Sequence, residues 1–111
     1  MQVDFDVKDK NLIVRFIGEL DHHSAEDIRK SIDEEYRKKI LKNIVLDLKG
    51  ISFMDSSGIG LIMGRYKNAK GNNGKLALIN VNPRMEKILF MSGILKIVKV
   101  YQSEVEALSN I

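Results

Sequence analysis

Apolar and polar positions change their period several times along the chain, and each change marks an element boundary. Val3 to Val7 alternates apolar and polar, the pattern of an exposed or edge strand. Leu12-Ile13-Val14-Arg15-Phe16-Ile17 is a β-branched run that predicts a second strand, with Lys8-Asp9-Lys10-Asn11 as a tight hairpin-like link. From Ser24 the period becomes helical: Ala25, Ile28, Ile32 and Tyr36 form one stripe, and Glu26, Arg29, Lys30 and Glu34 fall mostly off it. Ser24 followed by Asp27 matches a capping box, and the helix should fade near Leu41. Ile44-Val45-Leu46-Asp47-Leu48 is nearly all apolar, as in a strand covered on both faces, and residues 49–54 lead out of it. A second helix is predicted from about Ser57 to about Lys70, with Ile59, Ile62, Met63, Tyr66 and Ala69 inward.

Gly71-Asn72-Asn73-Gly74 must be a turn, and Leu76-Ala77-Leu78-Ile79 is the next buried strand. Asn82-Pro83 opens a third helix, with Asn as cap and Pro at the first helical position. Met85, Ile88 and Leu89 face inward, and Gly93 can end that helix in a left-handed conformation. Ile97 to Tyr101 reads as a last strand. Ser103 with Glu106 is a second capping box, followed by a short stripe of Val105 and Leu108. The order β-β-α-β-α-β-α-β-α, with strands joined through helices, predicts an α/β fold on a largely parallel sheet of about five strands with about four helices.

The length of 111 residues suits a single domain spanning 1–111, and 44% hydrophobic residues suffice for one core. No cysteine is present, which excludes disulfides, thiolate metal sites and cysteine nucleophiles. No apolar run reaches the roughly 18 residues of a membrane span, and the acidic start Met1-Gln2-Val3-Asp4-Phe5-Asp6 lacks an apolar signal core. A cytoplasmic location is therefore expected. The net charge of +3 says little about partners, because the signs are interleaved. The exception, Arg37-Lys38-Lys39 with Lys42, lies near a helix end, where cations complement the dipole.

The informative stretch is Phe53-Met54-Asp55-Ser56-Ser57-Gly58-Ile59-Gly60, where a buried strand gives way to a helix N-terminus. Ligands and partners usually meet open α/β sheets at such places. Ser57 is expected at the helix cap. A phosphoryl group there brings about −1.5 to −2 charges, which would sit against free N–H groups and the positive end of the dipole. Such a modification need not unfold anything and would act on whatever docks over the loop. The plain alternative is that Asp55, Ser56 and Ser57 only cap a helix. A second stretch, Gly18-Glu19-Leu20-Asp21-His22-His23-Ser24-Ala25-Glu26, runs from a strand into a helix. His22 and His23 are the only histidines, and neighbours in an extended loop point apart, so no metal site is assigned. Asp21 is read as a surface acid near the serine loop. Leu61 is placed off the core face of the second helix, beside Ser57, and Phe90 and Met91 off that of the third.

Together GELDHHSAE at 18–26 and FMDSSGIG at 53–60 resemble the signature segments of STAS domains, and more narrowly the anti-sigma F factor antagonists of endospore-forming bacteria. The later Met91-Ser92-Gly93-Ile94-Leu95-Lys96-Ile97 is similar to a further family segment. The resemblance implies a STAS-type domain that is not an enzyme and binds an anti-sigma factor, itself a serine kinase carrying ATP or ADP. Binding would free a sigma factor for sporulation transcription. The resemblance assigns phosphorylation to Ser57, with a PP2C-type phosphatase to reverse it. Asp21, His22, His23, Met54, Asp55, Ser56, Ser57, Gly58, Ile59, Gly60 and Leu61 would form the partner surface, with no cofactor, direct nucleic acid or membrane.

Other functions fit less well. No histidine is recognisably placed to activate Ser57 as a nucleophile, and no G-x-S-x-G elbow is present. Gly58-Ile59-Gly60 lacks the third glycine of a dinucleotide loop, where Met63 stands. Gly60 and Gly64 are read instead as allowing close packing of their helix. Nucleic-acid binding needs a basic stripe, usually with aromatics, and aromatics are 6% here with no tryptophan. Weak nucleotide binding and a stress-sigma pathway are the remaining alternatives.

Overall fold

The computed structural model describes residues 1–111. One sheet has the order β1-β2-β3-β4-β5, from β1 (Gln2–Lys8), β2 (Asn11–Leu20), β3 (Asn43–Met54), β4 (Leu76–Ile79) and β5 (Lys99–Tyr101). The helices are α1 (Ala25–Lys38), α2 (Ser56–Gly71), α3 (Pro83–Ser92) and α4 (Glu104–Asn110), with a short 3-10 turn at Ile94–Lys96. β1 and β2 form an antiparallel hairpin that turns through Asp9 at φ 57°, and the other three pairings are parallel. The predicted α/β class, mostly parallel sheet and element order are all present.

Successive strands step across the sheet in one direction, so right-handed crossovers carry α1, α2 and α3 to the same face. Ile28, Ile32, Tyr36, Leu61, Ile62, Met85 and Leu89 from these helices share one core with Leu12, Val14, Phe16, Leu46 and Leu78. The opposite face, Ile13, Val45, Ala77 and Ile79, is covered by Ala107 of α4. The central strands are therefore apolar on both sides, which is why their alternation disappears from the sequence. No helix is long and apolar enough to cross a membrane.

Several boundaries differ from expectation for local reasons. β3 continues to Met54 because residues 50–54 still pair with β2 across two register shifts. Gly50 lies at the first of these, where a Cβ would stand 2.2 Å from the Phe16 carbonyl oxygen. α1 ends at Lys38, before Ile40 takes φ 55°. β5 begins only at Lys99, and Ile97 stays exposed after the 3-10 turn. In α4 it is Ala107 that is buried, while Val105 is 77% exposed, because α4 meets a face of small and branched residues. The predicted cap at Asn82 is formed, its side chain accepting from the Met85 N–H at 2.8 Å, and Gly93 adopts φ 83°. Ser103 likewise accepts from the Glu106 N–H.

The largest difference concerns α2. Its buried residues are Gly58, Leu61, Ile62, Arg65 and Ala69, with Ile59, Met63 and Tyr66 only partly covered. The buried face is thus rotated from the expected one towards α1. Arg65, at i+4 from Leu61, hid this because a charged residue does not register as core. Gly60 and Gly64 have open space around them, so neither serves close packing.

Candidate functional site

Parallel pairing of β2 with β3 runs until Leu20 lies opposite Met54. The chain segments that follow therefore leave the sheet side by side. The Asp55 N–H donates to the Leu20 carbonyl at 3.3 Å, tying the two together. This brings the stretches 18–26 and 53–60 to one carboxyl edge of the sheet, as their sequences suggested.

At the mouth of α2 the cap is Asp55, not Ser57. Asp55 is extended, and its Oδ1 accepts the Ser57 N–H at 2.8 Å. Its carbonyl accepts from Gly58 at 3.0 Å and Ile59 at 3.4 Å. Because β3 runs through Met54, Asp55 is the hinge residue, and a carboxylate two residues before an N–H has the reach to cap it. Ser56 and Ser57 are the first two helical residues, Ser56 exposed and Ser57 half-buried. The expectation that a phosphoryl group would find free helix N–H groups needs correction. The Ser57 N–H is already taken, and a carboxylate already occupies the positive end of the dipole.

Three of the expected contact residues lie beneath the surface. Met54 is buried, Leu61 is 4% exposed, and Gly58 is buried so tightly that a Cβ would stand 2.2 Å from Met54 Cγ. They support the loop rather than present it, and Leu61 in particular is not an outward docking residue. Ile59 packs partly against the core, whereas Gly60 is exposed.

Asp21 does more than sit on the surface. Its Oδ1 accepts the backbone N–H groups of His23 at 3.0 Å and Ser24 at 3.1 Å. Burial works to raise its carboxyl pKa, but these hydrogen bonds, with that from the Ser24 hydroxyl, prevail and hold it below the usual value. The capping box expected of Ser24 is not formed. Its hydroxyl turns back to the Glu19 carbonyl at 3.0 Å, since Asp21 already serves the turn. This tight turn brings the His22 and His23 rings together, tilted by 37° with centroids 3.9 Å apart, instead of splaying them as an extended loop would.

Between α1 and the mouth of α2 lies a cleft of about 300 Å³, lined by His22, Ala25, Glu26, Arg29, Ser57, Gly60 and Leu61. Arg29 is fixed in it, bonded to Glu26 one turn before and to Asp33 Oδ2 one turn after, the latter at 3.3 Å. The hydrogen bond from Arg29 keeps the Glu26 carboxyl below its ordinary range against a smaller effect of burial. The sequence passed over Arg29, although His22, Glu26 and Arg29 recur at the spacing of one helical face. Phe53 was also passed over as a surface residue. It is 52% exposed beside a cleft of about 270 Å³ that also includes Ser52, Asn82, Arg84 and Ile88. Recognising residues 49–54 as strand would have placed it opposite to inward Met54.

Residues 2–107 match the STAS domain family. The anti-sigma F factor antagonist of Paenibacillus polymyxa is 46% identical over 100 residues, which cover 90% of this chain and 86% of that one. The solved structure of the anti-sigma factor antagonist SpoIIAA in its unphosphorylated form superposes with TM-score 0.76 at 30% identity, covering 97% of this chain and 96% of that one. The Bacillus cell fate determinant SpoIIAA in the phosphorylated form gives TM-score 0.75 at 32% identity, with 97% of each chain covered.

Proposed function

This chain belongs to the STAS domain family, and we propose that it is an anti-sigma factor antagonist that binds an anti-sigma factor and is switched by phosphorylation of Ser57. The observation that carries this is the position of Ser57: half-exposed, in the first turn of α2, where the two signature segments converge. The unphosphorylated protein docks on the anti-sigma factor and releases the sigma factor for sporulation transcription. The 46% identity to an anti-sigma F factor antagonist favours that pathway over a stress-sigma one. The proposed site of action is the cytoplasm.

In the switching step the partner acts as the kinase and supplies ATP. Ser57 Oγ forms a bond to the γ-phosphorus, the bond to the β,γ-bridging oxygen breaks, and ADP leaves. The hydroxyl proton passes to a base of the kinase. A PP2C-type phosphatase reverses the step with water, returning the serine and inorganic phosphate. The chain contributes the acceptor and the docking rim, formed by His22, His23, Ser56, Ser57 and Gly60 with the flanks of Asp21 and Asp55. A phosphoryl dianion brought under a docked protein costs about 3 kcal/mol through desolvation and like-charge contact, roughly 100-fold in affinity.

The test is mass spectrometry after incubation with the cognate kinase and ATP, beside binding assays. Ser57→Ala should take up no phosphate and still bind. Ser57→Asp should keep its circular dichroism and bind at least about tenfold more weakly. Normal phosphate uptake by Ser57→Ala would show that the acceptor is another residue.

A further inference from the structure

Phosphate at Ser57 cannot rely on the helix N-terminus alone. Asp55 already accepts the Ser57 N–H and places a negative charge at that end of the dipole. The cleft at Ser57 offers another cation. Arg29 lines it from α1, with its guanidinium held by Glu26 on one side and Asp33 on the other. Glu26 lines the same cleft but is largely exposed, its side chain retaining 61% of its accessible surface. Exposed pairs of this kind separate at little cost. Asp33 is more deeply set and is also held by Asn68 and Arg65, so it anchors the far side of the guanidinium.

From this arrangement, and resting on the phosphorylation of Ser57 proposed above, we infer that the cleft is a built receptor for the phosphoryl group. Once Ser57 is modified, Arg29 releases Glu26 and takes the phosphate oxygens, while Asp33 keeps its guanidinium in place. A planar fork of N–H donors suits phosphate, and a charge-assisted pair of this kind is stronger than the exposed pair it replaces. The groups facing the phosphate are His22 from the loop after β2, Glu26 and Arg29 from α1, and Asp55 at the start of α2. Arg65 lies behind Asp33. Arg29 therefore stabilises the dianion, whereas Glu26 and Asp55 oppose it. The receptor keeps the modification local: the added charge is received within the chain's own cleft, and α1 and α2 need not move apart.

The experiment follows the second ionisation of the phosphate by phosphorus NMR titration, in the full-length protein carrying phosphoserine at position 57 by encoded incorporation. This makes the measurement independent of whether the kinase chooses that residue. Free phosphoserine ionises near pH 6. Arg29→Gln should raise the second pKa by about half a unit, an opposite charge at a partly exposed site. Glu26→Gln should lower it by a similar or smaller amount. Arg29→Lys should lie between wild type and Arg29→Gln. A His22→Gln background separates the histidine's contribution. If Arg29→Gln and Glu26→Gln both leave the titration unchanged, Arg29 does not hold the phosphate and the inference fails, whatever the kinase does. If the kinase instead modifies a residue other than Ser57, the functional reading falls, while the titration still decides whether Arg29 holds a phosphate at this position. Should Arg29→Gln disturb α1, the exposed Glu26→Gln variant still carries the test through its opposite sign.

Discussion

Arg65 is the one charged side chain in the core, and its pair with Asp33 yields the sharpest stability prediction. Arg65 is 4% exposed, and its Nε lies 3.0 Å from Asp33 Oδ1. Yet neither its Nε nor its Nη1 has an aligned hydrogen-bond partner. The contact is thus close in distance and poor in angle. Burial pulls the guanidinium pKa down, Asp33 opposes this, and nearby Arg29 adds to the lowering. Removing Asp33 leaves a buried cation beside another arginine. Breaking a buried pair costs about 3–5 kcal/mol in general. Asp33 keeps 20% of its side-chain surface, so water can relieve part of this, and about 2–3 kcal/mol is expected for Asp33→Ala. For a domain of this size that lowers Tm by about 10 °C. Arg65→Met removes the desolvated charge along with the pair and fills similar space. Its stability should stay within about 1 kcal/mol of wild type, or rise. In the double variant most of the Asp33→Ala loss should disappear. Urea unfolding with an unchanged m-value measures all three. If Arg65→Met costs as much as Asp33→Ala, the ion pair is net stabilising, and the view of Arg65 as a poorly satisfied buried charge is wrong.

Two further predictions concern other parts of the fold. Glu104, in the first turn of α4, bridges Lys8 of β1 and Arg15 of β2, each at 2.5 Å. The hydrogen bond from Lys8 holds its carboxyl below the ordinary range, against burial and with help from Arg15. A depressed folded pKa means that the stabilisation is present above the unfolded value and is lost as pH falls through the folded one. Glu104→Gln should therefore cost about 1 kcal/mol at pH 7, and the gap to wild type should close as pH falls through the depressed folded pKa of Glu104. A gap independent of pH would show that charge is not the cause. At the turn after α2, a Cβ on Gly74 would meet the Lys42 carbonyl oxygen at 1.9 Å, whereas Gly64 faces open space. Gly74→Ala should cost about 2–3 kcal/mol by forcing backbone apart. Gly64→Ala should gain about 0.5–1 kcal/mol from helix propensity. Equal effects in thermal melts would contradict the contact geometry.

The sequence made the element order and sheet class legible because each element carries a strong local signal. Examples are the apolar run of Ile44–Leu48, the Asn82-Pro83 helix start and the left-handed end at Gly93. What it concealed was set by contacts between elements. Strand β3 runs on through Gly50 because β2 is there to pair with it, and no local pattern announces that. The buried face of α2 turns towards α1 through Leu61 and Arg65, and an arginine in the core is invisible to a count of apolar periods. At the site, the convergence of 18–26 with 53–60 was legible, but the choice of cap was not. Both Asp55 and Ser57 are good caps, and only the register of Leu20 opposite Met54 decides for Asp55.

That choice of cap shapes how the proposed switch works. Had Ser57 been the cap, its hydroxyl would be committed to the helix, and phosphorylation would remove a structural hydrogen bond. Asp55 carries the cap instead, and it holds the backbone of Ser57 rather than its side chain. The hydroxyl can then be esterified without undoing the start of α2. The same acid makes the helix end a poorer anion site, so the added charge must be met from α1. Cap and cleft thus divide the work: Asp55 keeps the modification from unfolding α2, and Arg29 gives it a counter-charge. The consequence of phosphorylation then falls on the protein that docks over this edge.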